Sequence, residues 1–595
     1  MNTKTTIFLL AAASLLLGFI LLFERKLPKS WQAASRDKYA LVFDRNRVTG
    51  IDIQSNEDKV EFRKHGSQWM MEAPVKDRAQ ASAIQEILTQ CESLEKEPVG
   101  GNADKKDLKA FGVTKPAVRL KLLGEEMPPE LLFGKDTAVE GKLYIRQEGS
   151  NTVSVANNAL RNLIMRKPDE FRDHQLADFN SDKVIKASVK TAAGEIDVTR
   201  EAGNWQVSKP LRARADSLKV NAFLNSVLNT QIAAFLPENG ANLNSYGLSE
   251  PRGTLVFRVQ GRVQSVVMDI GARDEKTGRI YGRISTRGGV FLLPKESENI
   301  LGLQPNDLRD RQLLCVEMDQ VDRITLRPAG LPSFLLQRRL EEWTVRSDNP
   351  RDNPLPANKA KILQFVKRLQ SRPVTAFFND VASDLAKYGL DQPQLRITFS
   401  SYASENTSES NAGELPLETL AFGKTEGDIV YARVEKEPFI VSVDKAALEE
   451  ISLNLAAWRP CALFRCRPTE VLSVTITPYR DGIKKTPYTL ALRSSNWVAD
   501  DGAPPGLLNR VNLQNLLKTL SNLTALHWTD EPGPLVPVMA FDIAATANRT
   551  GRLILGETAA DGTCLGMFEG KPGIFRLSAA DVSTLYLRLI DPLTR

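Results

Sequence analysis

The chain has few of the residues that build catalytic and metal sites. It contains three His and five Cys among 595 residues. A zinc site or a catalytic triad needs such residues to be grouped, whereas His65, His174 and His527 are far apart in the sequence. Five Cys are also too few for a disulfide-stapled scaffold. We therefore predict no catalytic residue, no metal ligand, no cofactor and no enzymatic activity.

The short motifs of nucleotide, hydrolase and metal chemistry are missing too. The sequence has no Gly-rich phosphate loop, no G-x-S-x-G elbow, no H-E-x-x-H pair and no Asp-rich calcium loop. The formal net charge of +6 is small for this length, and Lys and Arg are scattered among Asp and Glu. A nucleic-acid interface needs a concentrated basic face, so we predict no nucleic-acid partner.

Two Cys, Cys461 and Cys466, lie close to each other in the sequence. Their spacing is not the C-x2-C of zinc sites, and no second ligand pair is nearby. Two unpaired thiols are the simplest interpretation. A local disulfide is the alternative if this part of the chain is exported.

A single long hydrophobic run occurs, at the N-terminus. It extends from Ile7 to Phe23 without a charged residue and falls within the roughly 17–25 residues that span a bilayer. Glu24–Lys26 end it with charged side chains, where a signal-peptide cleavage site needs small ones. We predict an uncleaved transmembrane anchor over residues 1–26 that contacts the inner membrane through residues 5–23. The residues alone leave the side of the membrane open, because the positive-inside rule weakens before long domains.

The rest of the chain is repetitive. An apolar alternation, V-x-x-φ-x-φ with φ apolar, recurs four times at intervals of about 140 residues. After each start come a Trp, a Pro and an amphipathic stripe at i, i+3, i+4 and i+7, such as Ile84, Ile87, Leu88 and Cys91. Asp77 and Asp216 precede the first two stripes as candidate helix N-caps. The four Trp are Trp69, Trp205, Trp343 and Trp497.

Further landmarks follow the stripe in the same order. An aromatic–Gly turn is followed by a strand that ends in Gly and then by a Tyr-x-Arg strand. The turns contain Gly112, Gly247 and Gly389, and the strand glycines are Gly134, Gly271, Gly423 and Gly556. The fourth copy lacks the turn and has Cys564 and Gly566 where we expect Tyr and Arg. Because Tyr and Arg are enriched at interface hot spots, we name a candidate partner surface: Tyr144, Arg146, Tyr281, Arg283, Tyr431 and Arg433.

These landmarks predict an α+β chain of four tandem divergent repeats behind the transmembrane helix. Each repeat is expected to contain an antiparallel-rich sheet and one main amphipathic helix. The last repeat is expected to be a cap, because it lacks a neighbour on one side. The predicted ranges are 1–26 for the anchor, 27–180, 181–318, 319–468 with a disordered insertion near 402–414, and 469–595 for the cap.

The order of these landmarks resembles a bacterial family known as domain of unknown function 4340. The resemblance rests on the segment Leu41–Val48, the Trp-to-Pro strand, the aromatic–Gly turn and the Tyr-x-Arg strand. It covers nearly everything after the predicted anchor and is weakest in the fourth copy. It implies an exported protein with a single span, encoded beside auxiliary subunits of ABC transporters. The family has no known catalytic residues to carry over.

We therefore expect a non-catalytic envelope protein, an auxiliary or scaffold subunit of an ABC-transporter-type complex. The resemblance favours the inner membrane, with the bulk of the chain in the periplasm. Two alternatives remain: a hydrolase whose site is assembled between repeats, and a module that binds an envelope polymer.

Overall fold

The computed structural model describes residues 38–55, 58–99, 105–237, 243–402, 414–500, 502–529 and 534–592. The chain divides into two compact units, of which unit one ends at Arg309 and unit two begins at Asp310. Unit one contains the first two repeats, and unit two contains the last two. The predicted anchor and residues 403–413 of the predicted insertion lie outside the described residues.

Each repeat is built on one antiparallel sheet, and repeat one shows the arrangement. Its strands are β1 (Val48–Ser55), β2 (Lys59–His65), β3 (Gln68–Ala73), β4 (Asp77–Arg78), β5 (Glu97–Pro98), β6 (Val118–Gly124), β7 (Leu131–Asp136), β8 (Lys142–Gln147) and β9 (Ser154–Asn157). Their spatial order is β4-β3-β2-β1-β6-β7-β8-β9-β5. The first strand is therefore central, and one meander runs from it toward each edge.

Repeats two and three have the same nine strands in the same spatial order. Repeat two contains β10 (Val184–Thr191), β11 (Gly194–Glu201), β12 (Asn204–Lys209), β13 (Ala213–Arg214), β14 (Ala234–Phe235), β15 (Gly253–Val259), β16 (Val266–Arg273), β17 (Ile280–Ile284) and β18 (Phe291–Leu293). Repeat three contains β19 (Arg323–Pro328), β20 (Phe334–Arg339), β21 (Glu342–Ser347), β22 (Leu355–Pro356), β23 (Ala376–Asn379), β24 (Leu395–Tyr402), β25 (Glu414–Glu426), β26 (Ile429–Val434) and β27 (Ile440–Asp444).

Repeat four varies this plan. Its strands are β28 (Ala462–Arg465), β29 (Val471–Arg480), β30 (Ile483–Lys484), β31 (Tyr488–Arg493), β32 (Asn496–Ala499), β33 (Leu507–Leu508), β34 (Asn522–Thr524), β35 (His527–Thr529), β36 (Met539–Ala545), β37 (Arg549–Thr558), β38 (Cys564–Phe568), β39 (Lys571–Leu577) and β40 (Ile590–Asp591). The sheet order is β32-β31-β29-β36-β37-β38-β39-β35, and β30 pairs with β29 beside this path. Two additional pairs, β28 with β34 and β33 with β40, lie outside the sheet.

The helices are short compared with the sheets. They are α1 (Ala81–Ser93), α2 (Lys105–Ala110), α3 (Ala159–Ile164), α4 (Ser217–Leu228), α5 (Pro305–Leu308), α6 (Lys359–Ser371), α7 (Ala446–Glu449), α8 (Arg510–Ser521) and α9 (Ala579–Leu585). Single 3-10 segments cover Arg45–Arg47, Pro168–Phe171, Ser181–Lys183, Lys295–Gly302, Leu385–Tyr388, Leu455–Trp458 and Pro468–Glu470.

A β-bulge explains the spacing of the first apolar alternation. Val48, Ile51 and Ile53 are all buried, although the step from Val48 to Ile51 is longer than the two-residue period of a strand. The register of β1 on β6 shifts directly after Val48, so the bulge accommodates one extra residue there. The same shift follows Val184 in β10 and Val471 in β29.

The predicted apolar stripes lie on the main helices α1, α4, α6 and α8. In α1, Ile84, Ile87, Leu88 and Cys91 are buried and belong to one core with residues of the sheet. The corresponding stripes of α6 and α8 are fully buried, whereas Phe223 of α4 is only half-buried. Each main helix therefore covers part of one sheet face, and this burial stabilises it more than intrinsic propensity does.

The predicted fold class, α+β, is wrong for the repeats. Antiparallel strand is the most abundant regular structure of the described residues, it forms four large sheets, and the helices are minor elements. Edge strands of two residues, such as β4 and β5, are too short to show an alternation, so the sequence underestimated the strand content. Within the described residues, no helix is both long and apolar enough to cross a membrane.

One of the two predicted N-caps is also wrong. The Asp216 side chain accepts hydrogen bonds from the N–H groups of Leu218 and Lys219 at the start of α4. Asp77, by contrast, lies in β4, and the residue before α1 is Gln80, whose side chain makes no capping bond.

Each repeat opens with a short segment that pairs with the residues after its own main helix. The backbone bonds, from donor N–H to acceptor carbonyl oxygen, are Ala40 to Leu94, Ile232 to His174, Val374 to Arg311 and Ala525 to Cys461. The residues that follow Arg172, Arg309 and Arg459 therefore pack with the next repeat rather than with the one they leave.

Candidate functional sites on the repeats

The aromatic–Gly turn docks on the glycine of a neighbouring strand. In repeat one, the Lys135 N–H donates to the carbonyl oxygen of Phe111 at 3.0 Å. A Cβ on Gly134 would lie 2.4 Å from that oxygen, so the approach requires glycine. Gly112 in the turn has a φ of 74°, in the left-handed region. The equivalent close pairs are Gly271 with Tyr246 and Gly423 with Tyr388.

The Tyr of each Tyr-x-Arg strand packs against the aromatic residue of this turn. The ring centroids are 4.6 Å apart for Phe111 and Tyr144, 4.7 Å for Tyr246 and Tyr281, and 5.0 Å for Tyr388 and Tyr431. The Tyr431 hydroxyl donates to Glu426 at 2.7 Å, and this bond raises the pKa of Tyr431. The stacking fixes the turn to the sheet within each repeat.

The Arg of each pair contacts its own repeat as well. Arg146 donates to the carbonyl oxygen of Ser150 at 3.2 Å, and Nε of Arg283 donates to Asp269 at 2.7 Å. The Arg283 side chain remains 41% exposed, and it lines a cleft of about 610 Å³ in repeat two together with Asp269 and Arg287. This pairing can hold the strand face together, and it leaves part of one guanidinium accessible.

Repeat four carries apolar residues on this face. In the first three repeats, the Arg pairs with the residue two positions before the strand glycine. In repeat four, the residue two positions before the strand glycine is Ile554, and it pairs with Met567. Leu565 and Met567 therefore replace Tyr and Arg, and the expected equivalence with Cys564 and Gly566 is wrong by one residue. A one-residue shift moves a side chain to the opposite face of a strand.

The three His do not come together in a site. His65 Nε2 lies 3.3 Å from Glu72, and His174 Nδ1 lies 2.8 Å from the carbonyl oxygen of Ile232. In the part of the chain that the structure describes, no group of three or more His, Cys, Asp or Glu could hold a metal ion.

Cys461 and Cys466 are separated by the extended strand β28. Five residues of extended chain place their Cα atoms about 15 Å apart. A disulfide needs Cα atoms within about 7 Å, so the strand excludes a local bridge between them. Both thiols are free and half-buried.

A buried ionic cluster joins repeats one and two inside unit one. Arg172, at the end of repeat one, lies over the ring of Phe235 in repeat two, 3.7 Å from its centroid. Nε of Arg172 donates to the Asp77 carboxylate at 2.8 Å. Arg287 of repeat two donates to the same carboxylate at 2.6 and 2.9 Å. Asp77 therefore links the two repeats through a carboxylate that is 4% exposed.

The electrostatics keep this cluster charged. Burial alone would raise the pKa of Asp77, but the hydrogen bonds and charges of Arg287 and Arg172 outweigh it and lower the pKa. Burial and the neighbouring Arg287 lower the pKa of Arg78, which also pairs with Asp173 at 3.4 Å. An aspartate held ionised in this way suits a structural link rather than general acid catalysis.

Repeats three and four are joined inside unit two by an Arg in the same position. Arg459 lies over the ring of Trp528, 3.3 Å from its centroid, and donates to the carbonyl oxygen of Pro572. The indole N–H of Trp528 donates to the carbonyl oxygen of Pro460 at 3.1 Å. We call the Arg at the end of one repeat, together with the aromatic ring of the next repeat that it covers, a joint.

The joint residues occupy equivalent positions in the repeats. In each repeat, the N-cap residue of the main helix donates its backbone N–H to a carbonyl oxygen near the end of the repeat. We call the residue directly after that acceptor the closing position. The four closing positions are Arg172, Arg309, Arg459 and Ile590, and the ring positions are Pro98, Phe235, Phe377 and Trp528. The ring is missing in repeat one and the Arg in repeat four. The sequence repeats an Arg-Asp pair at the end of the first two repeats, Arg172-Asp173 and Arg309-Asp310, but it gives no indication of the ring.

The family comparison agrees with this repeat structure. The family model of a domain of unknown function (DUF4340) matches the chain three times, over residues 69–206, 205–379 and 348–537. The chain belongs to the DUF4340 family. The first two matches begin at the Trp strand of one repeat, and each of the three contains one closing Arg. The DUF4340 unit therefore includes the end of one repeat and the start of the next. A comparison with curated proteins found no match.

Proposed function

We propose that this DUF4340 chain is a non-catalytic scaffold, an auxiliary subunit of an ABC-transporter-type complex at the inner membrane. Its repeats are on the periplasmic side in this proposal. The observation that carries the scaffold role is the joint, which recurs between repeats one and two and between repeats three and four. A scaffold needs neighbouring modules held in a fixed relation, and buried Arg contacts supply that within each unit.

The partner surface in this proposal lies on the Tyr-x-Arg face of the first three repeats. Arg283, whose side chain is 41% exposed beside the repeat-two cleft, is an accessible point of this face. Arg is enriched among the residues that dominate protein–protein binding energy. The apolar Leu565 and Met567 on the same face of repeat four indicate that its role differs.

Affinity purification of the full chain from detergent-solubilised membranes tests the proposal. We expect the membrane and ATPase subunits of one ABC-type transporter to co-purify in a fixed ratio. Arg283→Ala should reduce their recovery, whereas Arg212→Ala, an exposed Arg elsewhere in repeat two, should not. Recovery of the chain without any transporter subunit would contradict the proposal.

Protease added to intact spheroplasts tests the location. Digestion of the repeats without lysis agrees with a periplasmic position. Full protection until lysis would place them in the cytoplasm and would remove that part of the proposal.

A further inference from the structure

The same groove occurs in repeats two and three, between the main helix and the short helical segment that follows the last sheet strand. In repeat two, Phe223, Ser226 and Thr230 line it on the α4 side, and Glu296 faces them. In repeat three, Phe365, Arg368 and Arg372 take the equivalent positions, and Glu450 faces them. The fold creates the groove, and the side chains decide its charge.

The groove of repeat three is basic. Lys361, Arg368 and Arg372 follow one another at i, i+7 and i+11, which places all three on one side of α6 and its C-terminal end. Glu450 is the single carboxylate among the lining residues of this groove. Three cations and one anion leave a formal charge of +2, whereas the repeat-two groove is lined by one carboxylate and no cation.

The cations are held in place and only partly neutralised. Arg372 pairs with Glu450 at 2.6 Å, and Arg368 is 4.0 Å from the same carboxylate. The Arg368 side chain is 51% exposed and that of Arg372 is 31% exposed. Nζ of Lys361 donates to the carbonyl oxygen of Ala457 at 2.8 Å, which fixes the ammonium at the inner end of the groove.

The cavity between them has room for a small tetrahedral anion. Its volume is about 70 Å³, and its apolar floor includes Phe365 and Trp458, whose rings meet edge to face. An apolar floor lowers the local dielectric and strengthens charge interactions above it. Arg guanidinium groups match phosphate oxygens in geometry and charge, and a Lys adds a third donor.

We propose that this groove of repeat three binds a phosphate group through Lys361, Arg368 and Arg372. The group is either free inorganic phosphate or the headgroup phosphate of an anionic phospholipid. Burial lowers the pKa of Lys361, so a bound anion would also favour its charged form. This inference rests on the groove alone and is independent of the scaffold proposal.

Isothermal titration calorimetry tests the site by measuring the affinity of the full chain, in detergent, for inorganic phosphate. Arg368→Ala and Arg372→Ala should each weaken binding about ten-fold or more, because each removes a charge-assisted hydrogen bond. Glu450→Gln should tighten binding several-fold, because it removes the opposing carboxylate from the groove. Protection from hydrogen exchange should appear in residues 359–372 and 446–458.

Lys367→Ala is the matched control. Lys367 is an exposed cation on the same helix that does not line the groove, so its removal should change affinity less than two-fold. A second titration with short-chain phosphatidylglycerol distinguishes the sources. Binding ten-fold tighter than phosphate identifies the lipid headgroup, and equal or weaker binding identifies free phosphate. The proposal is wrong if neither ligand binds, or if Lys367→Ala weakens binding as much as Arg368→Ala does.

Discussion

The two joints place an Arg on an aromatic ring in the same position but surround it differently. In unit one, Arg172 shares the carboxylate of Asp77 with Arg287, so three charges from two repeats are buried together. In unit two, Arg459 lies closer to its ring and donates to a backbone carbonyl oxygen. The fold fixes where a joint forms, and in unit one a shared buried carboxylate is added to the ring contact. Substitution of that carboxylate and acid pH should therefore affect unit one.

The largest expected effect is the loss of the shared carboxylate. Asp77→Ala leaves Arg172 and Arg287 buried without their partner, which should lower the stability of unit one by about 3–5 kcal/mol. Hydrogen exchange on the full chain at increasing urea should show this loss in repeats one and two.

Glu195→Ala is the control for that change. Glu195 pairs with Lys209 at 2.9 Å, and both side chains are about half-exposed, so its removal should cost less than about 1 kcal/mol. If Asp77→Ala costs no more than Glu195→Ala, the ionic cluster does not hold the joint.

The second prediction concerns pH. The pKa of Asp77 is lower in the folded chain than its unfolded value of about 3.9, so its contribution is complete above that value and is lost as pH falls through the folded pKa. The stability difference between wild type and Asp77→Asn in unit one should therefore shrink as pH falls below about 4. Urea unfolding at neutral and acidic pH measures it. A difference that stays constant or grows toward acid pH would contradict the assigned direction.

The third prediction concerns the ring of unit two. Trp528→Phe keeps an aromatic ring under Arg459 but removes the indole N–H bond to Pro460 and part of the ring area. We expect a loss of about 1–2 kcal/mol in repeats three and four, measured by the same exchange experiment. Trp497→Phe, at a half-buried ring of repeat four, should cost less. If Trp497→Phe costs as much stability as Trp528→Phe or more, the joint does not contribute more than an ordinary half-buried ring.

Some of this structure could be predicted from the sequence because burial leaves a periodic signal. Trp69, Trp205, Trp343 and Trp497 are each the second residue of their strand, and the apolar stripes lie on the main helices. The V-x-x-φ-x-φ spacing was also informative, although its cause, a bulge, became visible only in the strand register.

The joints and the groove could not be predicted in the same way. Asp77 stands before a helix stripe, a position that predicts an N-cap, but an edge strand of two residues places it against another repeat. The contacts of Arg459 with Trp528 and of Arg372 with Glu450 join residues about 70–80 positions apart. Hydrophobic periodicity reports local structure and does not predict such distant pairs. In repeat four, a one-residue difference in strand pairing was enough to misassign Cys564.

The smallest expected effect is at the N-caps of the main helices, where repeat one differs from the other three repeats. In unit two, the Asn358 side chain accepts the N–H of Lys361 at 3.2 Å, whereas Gln80 of unit one makes no such bond at a similar backbone conformation. Gln80→Asn places an amide oxygen within reach of the first turn of α1 and should stabilise repeat one by about 0.5–1 kcal/mol. Asn358→Gln is the reverse change and should cost repeat three about the same. Thermal unfolding of both variants measures the change in stability, and hydrogen exchange assigns that change to a repeat. If both substitutions destabilise, the packing of the half-buried Gln80 side chain matters more than the missing cap, and the difference between the two caps does not arise from that hydrogen bond.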